Sequence, residues 1–283
     1  MTIRIAVPNK GRLEESATAL LRASGISFEK GDRALSVPAK NADIEILFVR
    51  ADDIPQLVAS SVADVGITGI DLVAESGADV TIAGELGFGS CTLTAAVPTR
   101  SEITSVDEFA GKRIATAHPN TTAKFFADQG VDVTVVPLRG AVEVAPKLGI
   151  ADVIVDLVSS GSTMLTNGLR PVATILESQA VAITRPDASD DPAVERLITM
   201  MLSVVAAKTM RYVLMNAPGD SVDAIAALIP GLDAPSVVPL SGDTDDVAIH
   251  SVVRADRLWE ALPLLKKAGA SGILVLPIQQ FIA

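Results

Sequence analysis

The segment Asp156-Leu157-Val158-Ser159-Ser160-Gly161-Ser162-Thr163-Met164 holds the residue types best suited to chemistry. A short apolar run, Val153 to Val155, reads as a buried strand that delivers the Asp156 carboxylate to a loop. Ser159, Ser160, Ser162 and Thr163 then surround Gly161, and a helix is expected to begin there. Backbone N–H groups at a helix start lack intrahelical partners and carry the positive end of the dipole, so they bind anions. Gly161 lets the backbone approach closely, and the hydroxyls add donors. The carboxylate repels a phosphate but accepts hydrogen bonds from sugar hydroxyls. A phosphate joined to a ribose suits the whole set. An ordinary helix-capping cluster is the competing explanation, because Ser and Thr favour helix starts for the sake of the backbone.

The rest of the composition narrows the class. A chain of 283 residues has room for roughly two domains. It carries 23 Lys and Arg against 34 Asp and Glu, a net charge of −11 that argues against nucleic-acid binding. With 49% hydrophobic residues and a mean hydropathy of +0.42, a large buried core is expected. A single cysteine, Cys91, leaves no intrachain disulfide and reads as a small buried residue. Two histidines, His118 and His250, cannot build a multi-histidine metal site, and His250 falls in a strand as a structural or an exposed residue. No run is apolar and long enough to span a bilayer, and the first ten residues do not read as a signal peptide. The expectation is a soluble, cytoplasmic protein with no membrane and no nucleic acid among its partners.

Apolar runs at 3–8, 44–49 and 65–68 read as strands, and 13–23 and 54–61 as helices, an α/β alternation with mainly parallel strands. A second set follows near Pro98, with strands at 113–116, 133–136 and 153–155 and helices near 122–129 and 142–148. Ala63-Asp64-Val65 resembles Ala151-Asp152-Val153, which suggests either two similar lobes or simply good strand-entry chemistry. The stretch 171–184 is strand-like and would return the chain to the first lobe, and a polar linker at 185–192 leads into a helix at 193–208. The last part reads as strand 212–215, helix 221–228, strands 236–240 and 247–253, helix 257–267 and strand 272–278, the split βαβ arrangement.

The run Glu143 to Met164 resembles the sequence pattern of the ATP phosphoribosyltransferase family. Glu143, Gly149, Ala151, Ile154, Asp156, Leu157, Ser160, Gly161, Thr163 and Met164 stand where that pattern asks for them. The start, Ile5 to Gly11, and the segments Gly66 to Leu72 and Leu86 to Cys91 are also similar to family segments. With its C-terminal domain the chain resembles the family's long form. That resemblance implies an α/β fold of two periplasmic-binding-protein-like lobes, with the active site between them, and a ferredoxin-like regulatory domain. The implied boundaries are 1–97 with 180–211 for lobe I, 98–179 for lobe II and 212–283 for the regulatory domain. The implied reaction joins ATP and phosphoribosyl pyrophosphate, with Mg²⁺, to give phosphoribosyl-ATP and pyrophosphate. Adenine N1 attacks C1′ of the ribose, the first step of histidine biosynthesis.

Such chemistry needs positioning and electrostatics rather than an acid–base residue. By the resemblance, Asp156 holds ribose hydroxyls and Ser159, Ser160, Gly161, Ser162 and Thr163 hold the 5′-phosphate. Lys10 and Arg50, each just after a strand, are candidates for the pyrophosphate or the ATP phosphates, with solvated loop charges as the alternative. Asp71, which follows Gly69, and Glu143 are candidates for contacting ATP or the metal. His118 stands where relatives often carry Tyr near the nucleotide, and Ser162 where they often carry Arg or Lys. For the effector, histidine, the candidates are Asp220, Leu232 and Ser236, although Asn216 to Asp220 is shorter than in relatives. Histidine would bind between neighbouring subunits of a dimer or hexamer. A two-lobed binding protein without catalysis, and a phosphoribosyltransferase acting on another base, are the competing classes.

Overall fold

Ile3–Pro8 forms β1, whose residues from Ile5 to Val7 are wholly buried, as expected of a strand covered on both faces. The computed structural model describes residues 2–31, 34–159, 162–188, 191–242 and 244–282, and describes Ser162 and Thr163 by their backbone only. The chain divides into two units, Met1–Ile198 and Thr199–Ala283.

In the first unit β1 is followed by α1 (Glu14–Ala23), β2 (Ser36–Pro38), β3 (Ile44–Val49), α2 (Ile54–Ala59), β4 (Val65–Gly69), α3 (Ile70–Ser76) and β5 (Thr81–Glu85). Then come β6 (Cys91–Pro98), β7 (Arg113–Thr116), α4 (Pro119–Asp128), β8 (Thr134–Pro137), β9 (Val153–Val158), α5 (Ser162–Thr166), β10 (Leu169–Ser178) and β11 (Ala180–Thr184). Helix α6 (Pro192–Lys208) runs on into the second unit.

Two sheets form the two lobes of the first unit, in the orders β2-β3-β1-β4-β11-β5 and β10-β6-β9-β7-β8. Each has three adjacent parallel strands, β3-β1-β4 inside one sheet and β9-β7-β8 at one side of the other. Antiparallel strands adjoin them, so the sheets are mixed rather than mainly parallel. The flanking strands include those that carry the chain between lobes: it leaves from β5 to β6 and returns from β10 to β11. β6 therefore pairs in the second sheet, although its residues up to 97 were assigned to the first lobe. Strand 65–68 gains Gly69, and 153–155 extends to Val158, so Asp156 lies within a strand opposite Thr94. The helix expected at 142–148 shrinks to a 3₁₀ turn at Val142–Val144. Gly140 and Ala141 enter that turn with φ of 103° and 52°, Pro146 lacks an N–H, and Gly149 leaves at φ 69°, so no α-helix can propagate.

The second unit contains β12 (Met210–Pro218), α7 (Val222–Leu228), β13 (Ser236–Pro239), β14 (Asp246–Arg254), α8 (Leu258–Lys267) and β15 (Ser271–Pro277). Its sheet, β13-β14-β12-β15, is antiparallel throughout, the ferredoxin-like order. Val213, Met215, Ala217, Ile249 and Val253 alternate along the strands and bury one face against Ile225, Leu258 and Leu265 of the helices. The opposite face exposes Leu274 and Leu276, at 51% and 45%. Ser221 occupies the N-cap position of α7 but makes no capping hydrogen bond.

Candidate functional site

Both lobes direct the C-terminal ends of their parallel strands toward the candidate residues, the usual position of ligands on open α/β sheets. In the first lobe Lys10 follows β1, Arg50 follows β3, and Gly69 ends β4. Pro8 and Val49 are register partners, so Lys10 and Arg50 leave the sheet side by side. In the second lobe His118 follows β7, and Asp156 and Ser159 lie at the end of β9.

Asp71 is the most confined of these residues. It sits in the first turn of α3 with 1% of its surface exposed. The Ser178 hydroxyl donates to its Oδ1 and accepts from its backbone N–H at 3.1 Å. Arg12 Nη2 donates to the same carboxylate oxygen at 3.1 Å, while Nη1 donates to the Gly89 carbonyl. His118 Nε2 lies 3.5 Å from Asp71 Oδ2, long for a hydrogen bond. The ring is 94% buried by its 6% exposure, yet neither nitrogen has a hydrogen-bond partner among the described residues. Burial alone would raise the Asp71 carboxyl, but His118, Ser178 and the Arg12 charge outweigh it and hold the pKa below the usual value. The packing leaves no room for a Cβ at two glycines here. At Gly69 it would run into the Asp71 carboxylate, and at Gly89, with φ +67°, into Leu13 and the Arg12 guanidinium.

Asp156 behaves in the opposite way. Burial raises its pKa, the adjacent Leu157 N–H lowers it, and the charge of Glu143 raises it again. His118 acts on the same carboxyl with a smaller, lowering effect. Glu143 and His118 are thus within electrostatic reach of Asp156. A cavity of about 540 Å³ opens where the chain crosses between lobes, lined by Ile70, Cys91, Thr92, Val158, Ser159 and Ser178, so that of the candidate residues Ser159 faces it while Asp71, His118, Glu143 and Asp156 do not line it. Cys91 is buried at 7% exposure, and burial pushes its thiol pKa up. Ser160 and Gly161 lie outside the described residues, as do the side chains of Ser162 and Thr163. The short helix α5 does begin at Ser162, directly after the loop.

Lys10 is exposed, and Arg50 is held in a two-point pair with Asp52, at 3.1 and 3.0 Å. The effector candidates lie on three different segments of the second unit. Ser236 is opposite His250, Asp220 lies in the turn whose Gly219 donates to the Asp245 carbonyl, and Leu232 is 59% exposed in another loop. Among the described residues, no group of three or more His, Cys, Asp and Glu side chains is arranged to hold a metal ion. No helix among them is long and apolar enough to cross a membrane. Sequence reasoning missed Arg12 and Ser178, whose partners in the cluster are 59 and 107 residues away. The basic step Lys10-Gly11-Arg12 after a strand was the only signal for Arg12.

Comparison with known proteins gives two family matches. Residues 50–203 match the model described as ATP phosphoribosyltransferase, and residues 207–280 match the C-terminal domain model of the same name series, HisG. The ATP phosphoribosyltransferase of Gemmatimonas aurantiaca is 43% identical over 291 aligned residues, covering 99% of each chain. Among solved structures, the ATP phosphoribosyl transferase (HisG:HisZ) complex from Thermotoga maritima matches with a TM-score of 0.61 at 28% identity, covering 71% of this chain and 98% of that one. A histidine kinase sensor domain with similarity to periplasmic binding proteins matches with a TM-score of 0.50 at 13% identity, covering 73% of this chain and 91% of that one, a likeness of fold alone.

Proposed function

The chain belongs to the ATP phosphoribosyltransferase family, and we propose that it works through the residues that its two lobes gather around Asp71 and Asp156. It transfers the phosphoribosyl group of phosphoribosyl pyrophosphate to N1 of ATP, giving phosphoribosyl-ATP and pyrophosphate, the first step of histidine biosynthesis. The observation that carries the site assignment is the approach of the two lobes at their strand ends, where His118 after β7 of one lobe lies 3.5 Å from Asp71 after β4 of the other.

The reaction develops positive charge at C1′ as the pyrophosphate departs. Fixed charges and alignment lower that barrier, and no acid–base residue is required. Asp156 accepts from the ribose hydroxyls, and its strand fixes it at the mouth of the loop. Ser159, Ser160, Gly161, Ser162 and Thr163 take the 5′-phosphate, and the start of α5 at Ser162, within that run, supports this. Lys10 and Arg50, which follow the adjacent strands β1 and β3 at the same end of the sheet, take the pyrophosphate or the ATP phosphates. His118 packs against the adenine. Gly69 leaves the space that the Asp71 carboxylate occupies, and Asp71 orients the nucleotide.

Mg²⁺ fits the donor set at Glu143. Such an ion keeps several waters and takes only one or two carboxylates beyond the substrate's oxygens. The Glu143 charge already reaches Asp156, whereas Asp71 is committed to Arg12 and Ser178. When bound, the ion neutralises the departing pyrophosphate.

Histidine is the feedback inhibitor in this reading, held by Asp220, Leu232 and Ser236. The site is shared between subunits of a dimer or hexamer. The open face of the second unit's sheet, with Leu274 and Leu276 exposed, supports such assembly. The protein is cytoplasmic. Asp156→Asn tests the site assignment directly: turnover should collapse, chiefly through ribose binding, and near-normal activity would remove Asp156 from the site.

A further inference from the structure

Helix α4 begins without a cap of its own. His118 stands at its N-cap position and makes no side-chain capping bond, and Pro119 fills the first turn. The two N–H groups that follow are nevertheless satisfied, by a residue of the other lobe. Glu75, in the last turn of α3, accepts from the Asn120 N–H at 3.0 Å and from the Thr121 N–H at 2.9 Å. It also accepts from the Thr121 hydroxyl at 2.9 Å, and the Asn120 side-chain amide donates to the Glu75 carbonyl at 3.0 Å. A carboxylate here also meets the positive end of the α4 dipole. α3 belongs to the first lobe and α4 to the second.

Asp71 and Glu75 are one helical turn apart on α3, so they share a face. The turn that carries Glu75 against Asn120 and Thr121 also carries Asp71 against His118. The His118 ring has no hydrogen-bond partner of its own to hold it at 3.5 Å from Asp71. What holds it is the backbone of α4, and the first turn of that backbone is fastened to Glu75.

We propose that Glu75 is a positioning residue for the transferase reaction: by capping a helix of the opposite lobe it fastens the lobes in register and sets His118 against Asp71. This rests on the assignment of Asp71 and His118 to the substrate site. Removing the clasp lowers the fraction of molecules whose lobes are in register, which weakens apparent substrate affinity by that fraction. Bound substrates restore the register, so the maximal rate changes less.

The test uses the full chain with spin labels at Glu29→Cys and Lys124→Cys, one exposed position on each lobe, at 84% and 76% side-chain exposure. The parent should give one narrow distance distribution. Glu75→Ala should broaden it and raise KM for both substrates roughly tenfold, the size of a lost helix cap, with kcat changed by less than about twofold. Glu75→Gln keeps the side-chain volume and one acceptor, so it guards against misfolding and should fall between. An unchanged distance distribution in both variants, or an unchanged KM despite a broadened one, would overturn the proposal. Asp71→Asn, measured in parallel, separates this failure from that of the site assignment. If Asp71→Asn retains full activity while Glu75→Ala raises KM, the site assignment falls and the clasp stands.

Discussion

Ser178→Ala removes one oxygen atom from the most confined part of the site. Ser178 is 5% exposed and Asp71 is 1% exposed, so both groups lie away from bulk solvent. Two hydrogen bonds go with it, the hydroxyl's donation to the Asp71 carboxylate and its acceptance of the Asp71 N–H. A bond to a charged group contributes about 1.5–3 kcal/mol, and a buried N–H left without a partner costs about 1–3 kcal/mol. The two are not independent, so the expected destabilisation is about 2–4 kcal/mol. The volume change is too small to add a cavity cost of comparable size. For a unit near 200 residues that is a fall in Tm of roughly 5–15 °C. Denaturant and thermal unfolding of the full chain measure it, with Asp71→Asn as the reference background. In that background Ser178→Ala should cost distinctly less, because the charge that strengthens the bond is gone. A loss below about 0.5 kcal/mol in the parent, or an equal loss in both backgrounds, would refute the claim that Ser178 anchors the Asp71 carboxylate.

Three further outcomes are expected. Lys10→Ala should raise KM for a phosphate-bearing substrate roughly tenfold at low salt and less at high salt, in steady-state kinetics across ionic strength. Ser236→Trp should abolish inhibition by histidine while leaving the uninhibited rate intact, in assays with and without histidine; unchanged inhibition would show the effector site to be elsewhere. Asp152 is held below its usual pKa of 3.8, first by the Arg113 side chain and then by its N–H. Because its folded pKa is depressed, its stabilisation is present above that usual value and is lost as pH falls through the lower folded one. With Arg113 and Asp152 side chains 45% and 41% exposed, solvent and salt screen the pair, so Asp152→Asn should cost no more than about 1 kcal/mol at pH 7 and nothing in strong acid.

The strands at 3–8, 44–49 and 113–116 were legible to the residue because each is a short apolar run closed by a turn residue. The split βαβ unit was legible for the same reason, and Gly219 and Gly269 punctuate it. The membership of β6 was not. A strand's composition does not say which of two sheets it joins; that is set by pairing with β9 and β10, more than sixty residues on. The apolar spacing at 142–148 suited a helix, yet two consecutive positive-φ residues and a proline override periodicity there. At the site, the Asp156 loop and Glu143 carried a recognisable pattern. Ser178 and Glu75 carried none, and Arg12 only a basic step after a strand, because their roles come from partners supplied by distant segments.

Pyrophosphate release from ATP and phosphoribosyl pyrophosphate with Mg²⁺, drawn forward by pyrophosphatase, tests the central claim most directly. The full chain should turn over, should require both substrates and should lose nearly all activity as Asp156→Asn. No release from the folded chain, or equal release with orotate or a purine base in place of ATP, would contradict it.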